Sequence, residues 1–268
     1  MVEQTRSSTG ADPPPRRVIL LGASNLTRGI ATVVDACQRL WGQPLDVMAA
    51  LGHGRSYGMR STILGRSIPS VIHCDLWPAL AERPEAPTAA LVTDIGNDLL
   101  YEAPVERIVD WVTRCLDMLV ERNARIVMTR LPVANIEHVP EWKFRVLRRL
   151  MFPRGRLPYA VLAGRVRELD QRLAAVAEAR GVTLVEQRVA WYGWDPIHLK
   201  SRHWPAAWHH ILSGGSDAHI APAPRNPRLA NRLYLRTRRP QQRWWFGIEE
   251  RGPQPCGRLA DGSVVSFF

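Results

Sequence analysis

The stretch Arg17-Val-Ile-Leu-Leu-Gly-Ala-Ser24 decides the fold. Its apolar run stops at Gly22, which is typical of a strand buried on both faces of a parallel sheet. The next segment, 25–41, carries apolar residues at the spacing of one helix face. They are Ile30, Val33, Val34, Ala36, Cys37 and Leu40. A buried strand that leads straight into an amphipathic helix is the first part of a repeating β–α pattern.

The alternation of strand and helix continues along the chain. Four more strand-like runs lie at 45–51, 89–95, 125–131 and 182–187. Helical patterns lie at 57–81, 104–123, 158–180 and 204–212. We therefore predict a flavodoxin-like three-layer α/β/α sandwich around a mostly parallel five-stranded sheet.

Length and composition fit one globular domain with tails. The chain has 268 residues, of which 46% are hydrophobic and 23% are charged. We expect a disordered, proline-rich tail over 1–16, a main domain over 17–212, and an arginine-rich appendage over 213–268. Within the main domain, 133–157 breaks the alternation and mixes apolar residues with arginines. That mixture favours a lid or an insertion, and a surface helix that covers core residues is the other interpretation.

The chain lacks the sequence features of membrane insertion and of metal binding. No apolar run approaches the roughly 20 residues of a membrane-spanning helix, and the N-terminus lacks the apolar core of a signal peptide. We therefore expect a cytoplasmic protein that is not integral to a membrane. The cysteines show no metal-ligand spacing, so we predict neither a metal nor a cofactor. Cys37 and Cys115 fall in helical apolar patterns, which favours buried free thiols.

Positive charge is concentrated in two segments. The net charge of the chain is +11, and the part from Arg225 to the end has nine arginines and three acidic residues, a net charge of +6. A second basic cluster lies between Lys143 and Arg156. Such clusters attract anionic surfaces, and the alternative is that arginine simply keeps this chain soluble. Because the tail lacks regularly spaced aromatic residues, no specific nucleic acid is predicted as a partner.

The unusual residues follow the first three predicted strands. Ser24 comes after the first, the glycines of 52–58 after the second, and Asn97, in Asp94-Ile-Gly-Asn-Asp98, after the third. Ligands of doubly wound sheets bind beyond the carboxyl ends of the strands. We therefore expect these residues to share one site.

Taken singly, these residues have two interpretations each. Ser24 is either a nucleophile whose backbone N–H faces a developing anion at a helix start, or it caps the helix, as Asn25 could do instead. Asn97 is either an uncharged N–H donor for an oxyanion or a residue that forms a turn.

A carboxylate and an imidazole lie three residues apart after the fifth predicted strand. The spacing of Asp195 and His198 lets the carboxylate bind Nδ1 while Nε2 faces a nucleophile. Pro196, with Trp191 and Trp194 close by, indicates a rigid and partly dry loop. The nearby histidines are interpreted as surface or core residues of the last helix. They are His203, His209 and His210.

In this order the motifs resemble the four blocks of the SGNH (GDSL-type) hydrolase family, over residues 18–212. The blocks are Gly-x-Ser, a glycine loop, Gly-Asn-Asp and Asp-x-x-His. The resemblance implies that 17–212 is a catalytic domain with Ser24 as nucleophile, His198 as general base and Asp195 as the group that orients it. It also implies an oxyanion hole made by the Ser24 N–H, Asn97 and a loop glycine, which we predict to be Gly54 rather than Gly52.

The resemblance implies that the chain is a metal-free serine esterase, acyl hydrolase or acyltransferase. Its substrate would be a small-molecule or lipid-like carboxylic ester, and the reaction would pass through an acyl-enzyme. The chain departs from the family at one position. The family's Gly-Asp-Ser reads Gly22-Ala23-Ser24 here, so a carboxylate that usually helps hold the nucleophile turn is missing.

Three other interpretations are open. The stretch 54–58 matches the GxSxG elbow of α/β-hydrolases and would make Ser56 the nucleophile, although no companion oxyanion motif lies upstream. Gly52-x-Gly54 is similar to a dinucleotide-binding loop, but the third glycine is displaced and no acidic residue lies about 20 positions on at the end of a following strand. The last is a catalytically weak or inactive protein of the same fold that docks to an anionic membrane or nucleic acid through its basic tail.

Overall fold

A computed structural model of the chain describes residues 16–137, 139, 140, 142, 149, 157–216 and 223–268. Residues 1–15 and most of 138–156 lie outside these ranges. The predictions of a disordered tail and of a lid therefore stay predictions.

The chain order of the elements follows the expected alternation over most of the length. The strands are β1 (Arg17–Leu21), β2 (Asp46–Ala50), β3 (Ser61–Ile63), β4 (Arg66–Ile68), β5 (Thr88–Val92), β6 (Arg125–Thr129), β7 (Thr183–Val185), β8 (Gln242–Trp245), β9 (Ile248–Arg251), β10 (Gly257–Arg258) and β11 (Val264–Phe267). The α-helices are α1 (Ser24–Trp41), α2 (Leu76–Ala81), α3 (Asn97–Leu100), α4 (Val105–Val120), α5 (Val133–Glu137), α6 (Tyr159–Glu178), α7 (Trp204–Leu212) and α8 (Leu229–Arg236).

The five predicted strands are consecutive neighbours in one sheet, with β7 at its edge. Their order across the sheet is β2-β1-β5-β6-β7, and every pair among them is parallel. Numbered as predicted, the five strands lie in the order 2-1-3-4-5 across the sheet, which is the flavodoxin-like order. The predicted fold class is confirmed.

Alternate side chains of the central strands bury against the two helix layers. In β1, Val18 and Leu20 belong to one apolar cluster, whereas Ile19 and Leu21 belong to the other. Helices α1 and α7 cover the first face, and α4 and α6 cover the second. Because successive strand residues point to opposite faces, a strand covered on both sides has to be apolar throughout.

The central sheet has seven strands rather than the predicted five. β11 pairs in parallel with β2, and β10 pairs antiparallel with β11 through the turn at Asp261-Gly262. Val265 and Phe267 are buried in the core on the α1 side. Burial of side chains this size stabilises by about 1.5–3 kcal/mol each. Residues 257–268 therefore complete the main sheet, and the expectation that 213–268 is a separate appendage is wrong for this part.

Most of the helix predicted over 57–81 is absent from the fold, because only α2 is helical in that segment. β3 and β4 form a hairpin there instead. This hairpin pairs with the β8–β9 hairpin through β4 and β8, which gives a second sheet of order β3-β4-β8-β9. The two-residue turn at Leu64-Gly65 joins the two strands of this hairpin.

Two more features of the described chain concern its helices and its thiols. None of the helices in the described ranges combines the length and apolar character needed to cross a bilayer. Cys37 and Cys115 are buried as free thiols, as predicted.

Candidate active site

Ser24 is the first residue of α1, directly beyond the end of β1. Its side chain is largely buried, and its Oγ lies 2.8 Å from Nε2 of His198. The hydroxyl therefore contacts a base that is 174 residues away in sequence and does not cap its own helix.

The imidazole of His198 is held from its other side by Asp195. Nδ1 lies 2.5 Å from Oδ2 of the carboxylate, and Oδ1 accepts the backbone N–H groups of Ile197 at 3.0 Å and of His198 at 3.3 Å. Burial acts to raise the pKa of Asp195, but these hydrogen bonds and the nearby imidazole lower it below its usual value. An ionised carboxylate at Nδ1 selects the tautomer in which Nε2 can accept the Ser24 proton.

The loop that carries Asp195 is only partly dry. Trp191 is buried and packs edge-on against His210 of α7, with ring centroids 5.5 Å apart. Trp194 is exposed. Of the two tryptophans, only Trp191 therefore shields this loop from solvent.

The turn at Ser24 is held by a carboxylate that the sequence analysis did not assign, that of Asp94. Its Oδ2 accepts the backbone N–H groups of Ala23 at 2.9 Å, Asn25 at 2.9 Å and Leu26 at 3.1 Å. An anion at the start of a helix is stabilised by unpaired N–H groups and by the helix dipole. Asp94 thus holds the backbone turn on both sides of Ser24.

Asn25 connects this turn to the histidine loop. Its Nδ2 donates to Oδ1 of Asp94 and to the carbonyl of Ile197, both at 2.8 Å, and its Oδ1 accepts the N–H of Leu199 at 2.9 Å. The hydroxyl and the imidazole are therefore fixed to each other through a buried amide as well as directly. Sequence reasoning treated Asn25 only as a possible helix cap.

Two donors at the site are left without a protein partner. Asp94 accepts the N–H groups on both sides of Ser24, but the N–H of Ser24 has no partner among the described residues. Nδ2 of Asn97 is buried and, within the same part of the chain, is also unpaired. Because a buried donor without a partner costs about 1–3 kcal/mol, both N–H groups are suited to bind an oxygen of a ligand.

The glycine loop after β2 is closely packed. A Cβ at Gly54 would lie 2.1 Å from Ile63, and one at Gly52 would lie 2.2 Å from Ile68, so neither position has room for a side chain. Gly54 also has a φ of +63°, which favours glycine. The loop leads into the β3–β4 hairpin and not into a helix, unlike a dinucleotide-binding loop. Gly54 remains the predicted oxyanion donor, with Gly52 as the alternative.

Partial burial lowers the pKa of His53 in the glycine loop, and the positive charges of Arg66 and Arg28 lower it further. Arg66 belongs to β4 and Arg28 to α1.

Ser56, the alternative nucleophile, has a structural environment. It is fully buried, its hydroxyl donates to Asp98 in a short hydrogen bond, and it accepts the backbone N–H groups of Gly58 and Met59. Burial raises the pKa of Asp98 to about 6, although its hydrogen bonds with Ser56 and the Tyr57 N–H oppose that rise. The described contacts of Ser56 include no histidine, so the interpretation of Ser56 as the nucleophile of a GxSxG elbow gains no support.

An apolar pocket opens at the catalytic residues. Ser24, Asn97 and Asp195 lie on its wall. Arg130, Gln187 and Tyr192 add polar groups to the lining. The aliphatic part of the lining comes mainly from the loops after β5 and β6 and from α5 and α6. It includes Ile95, Leu100, Leu131, Ile136, Val139, Leu162 and Val166. Ile136 and Val139 belong to the 133–157 segment, so the described part of that segment forms one side of the pocket.

No protein-family model matches the chain, and no curated protein matches it in sequence. In structure it is similar to the psychrotrophic esterase EstA from Pseudoalteromonas sp. (12% identity, TM-score 0.46, 74% of this chain and 96% of that chain) and to the acetyl xylan esterase AlAXEase (12%, 0.49, 76% and 100%). It is also similar to a member of the lipolytic protein G-D-S-L family from Veillonella parvula DSM 2008 (12%, 0.46, 73% and 94%). These TM-scores lie below 0.5, so the site is interpreted from its own hydrogen bonds.

Proposed function

We propose that the chain is a serine esterase or acyltransferase that acts on carboxylic esters through an acyl-enzyme. The observation that carries the proposal is the chain of hydrogen bonds from Ser24 Oγ to His198 and on to Asp195 at the wall of an apolar pocket. A nucleophile, a base in contact with it and an ionised group that orients the base are the parts that acyl transfer requires.

In the first step, Oγ of Ser24 attacks the ester carbonyl carbon while its proton moves to Nε2 of His198. The tetrahedral intermediate then expels the alcohol, which takes the proton from the imidazolium, and the acyl group stays on Ser24. In the second step, water or another alcohol gives a proton to Nε2 and attacks the acyl carbon, which releases an acid or a new ester. Asp195 keeps Nδ1–H oriented and stabilises the imidazolium throughout.

The oxyanion of each intermediate would be held by the unpaired donors described above. These are the N–H of Ser24 and Nδ2 of Asn97, and we assign the Gly54 N–H as the third donor. Donors that are fixed before the reaction starts lower the barrier most, because they need not reorganise as charge develops. Asp94 and Asn25 fix the Ser24 N–H in this way.

The pocket supports a substrate with an apolar group. The exposed surface of its wall is mainly apolar, and burial of each methylene there is worth about 0.8 kcal/mol. We assign this pocket to the acyl or alcohol part of a small-molecule or lipid-like ester.

Asn97→Ala tests the oxyanion assignment. We expect kcat for a short p-nitrophenyl ester to fall by about 10²–10³-fold with little change in KM, because the donor acts mainly in the transition state. The matched control is Asn135→Ala, since Asn135 is also 9% exposed and also has a buried, unpaired Nδ2 within the described chain, but lies outside this pocket. An unchanged kcat in Asn97→Ala, or equal losses in both variants, would contradict the assignment.

A further inference from the structure

Two hairpin turns lie side by side at the end of the second sheet, and both expose large apolar side chains. Leu64 is 91% exposed, Phe246 82%, Ile248 73% and Trp245 36%. We name these four residues the apolar tip. Exposed apolar residues are ordinary when scattered, but a contiguous group marks an interaction site.

The two turns that carry the apolar tip are held together by specific contacts. The N–H of Phe246 donates to the carbonyl of Gly65 at 2.8 Å, and the Phe246 ring lies so close to Gly65 that a Cβ there would be 2.4 Å away. Trp245 pairs with Ile248 across the strands, and the rings of Trp245 and Phe246 have centroids 6.4 Å apart. The two turns therefore present one surface.

Both turns place a bulky residue where the backbone disfavours it. Leu64 has a φ of 49° and Phe246 a φ of 45°, and each precedes a glycine that also has a positive φ. Two-residue hairpin loops with two positive φ values favour Asn, Asp or Gly at the first position. Leucine or phenylalanine in this left-handed conformation is strained. Since these side chains are exposed, burial within the chain does not offset that strain, and the same choice at two adjacent turns indicates a binding role.

Positive charge accompanies the apolar tip. The segments 60–66 and 239–251 contain five arginines and two glutamates. Arg243 pairs with Glu250 at 2.6 Å and Arg251 with Glu249 at 2.6 Å. The guanidinium of Arg60 lies 3.6 Å above the ring of Trp244. Arg251 also lies 3.7 Å from Asp75 and Arg239 lies 3.9 Å from Glu250. Arg60 and Arg66 form no ion pair with an acidic residue among the described residues, and Arg66 is opposite Trp245 in the second sheet, so the hairpins keep an excess of positive charge next to the apolar tip.

From this combination we infer that the apolar tip docks the protein on an anionic lipid surface. The four side chains enter the boundary between headgroups and acyl chains, where tryptophan and phenylalanine are favoured, and the excess arginines contact anionic headgroups. Ile63 precedes Leu64 and packs against Gly54. Docking would therefore bring the glycine loop of the active site close to the lipid. The inference does not depend on hydrolysis.

The test is co-sedimentation of the full chain with phosphatidylcholine vesicles, with and without phosphatidylglycerol, in Ser24→Ala protein as well as the unaltered chain. We expect binding that requires phosphatidylglycerol, weakens with added salt, and is the same in both proteins. The double variant Leu64→Asn/Phe246→Asn should bind at least about tenfold more weakly, because it loses most of the inserted apolar area. Asparagine suits both turns, so the Tm of the double variant should be unchanged or higher. The activity of the double variant on a short soluble ester should be unchanged.

The matched control replaces two exposed leucines outside the apolar tip, Leu229→Gln/Leu233→Gln in α8, and should bind as the unaltered chain does. Equal binding by the apolar-tip variant and this control would overturn the inference. Equal binding to charged and uncharged vesicles would also overturn it. A third contrary result is that the unaltered chain binds no vesicles but self-associates, and that the apolar-tip variant loses this self-association; the surface would then join two copies of the chain.

Discussion

Ser24→Ala should lower kcat for a short p-nitrophenyl ester by at least about 10⁴-fold, because it removes the only atom that forms the acyl-enzyme in the proposed mechanism. Oγ of Ser24 is hydrogen-bonded to His198 and does not cap helix α1. Its removal should therefore disturb the fold little. Kinetics and thermal unfolding of the same preparation measure both effects. The expected pattern is a large loss of kcat with a nearly unchanged Tm.

Ser56→Ala is the matched control and should give the opposite pattern. It removes a buried hydroxyl that bonds to Asp98 and accepts two backbone N–H groups. Leaving such groups unpaired costs about 1–3 kcal/mol, which corresponds to a Tm several degrees lower in a chain of this size. Activity per folded molecule should stay within a few-fold. A folded Ser56 variant without activity, beside an active Ser24 variant, would identify the GxSxG motif as the nucleophile elbow.

Asp94→Asn should reduce both activity and stability. The carboxylate accepts three backbone N–H groups and the Asn25 side chain. An amide in its place would direct an NH₂ group at some of these donors. Hydrogen bonds to a charged group are worth about 1.5–3 kcal/mol, so we expect unfolding to become easier by roughly that amount. We also expect kcat to fall on the order of 10- to 100-fold, because a small displacement of the nucleophile is costly.

Asp46→Asn separates positioning from general destabilisation. Asp46 accepts a hydrogen bond from Arg17 at 3.0 Å and lies at the start of β2, at the opposite end of the sheet from the site. Its loss should lower the Tm and leave kcat unchanged. Asp94 would have no positioning role if both variants lost stability and neither lost kcat.

The parts of the fold that could be predicted from sequence are those with local causes. An apolar run such as 17–21 indicates a buried strand by itself, and 204–212 carries the pattern and length of the helix observed. β11 could not be assigned to the main sheet, because its partner, β2, lies about two hundred residues earlier and no local pattern specifies that pairing. The β3–β4 hairpin was missed because its turn begins with Leu64, where the usual signal is asparagine or glycine.

The residues of the site also divide into those that could be predicted from sequence and those that could not. Ser24, Asn97, Asp195 and His198 could be proposed because each follows a strand and carries a reactive or polar group of a specific type. Asp94 is in the same motif as Asn97, but its role is to accept backbone N–H groups of another loop. Backbone donors have no sequence signature, so the N–H groups that Asp94 accepts could be identified only from the fold. The available signal was an acidic residue directly after an apolar strand.

The most direct test of the central claim is labelling with a fluorophosphonate probe followed by mass-spectrometric mapping of tryptic peptides. Cleavage after arginine separates the two candidate serines, since Ser24 lies in peptide 18–28 and Ser56 in peptide 56–60. We predict that the probe modifies peptide 18–28 at Ser24 and that His198→Ala slows this labelling by at least about 10²-fold. Labelling of peptide 56–60, or a rate at Ser24 that does not depend on His198, would contradict the account.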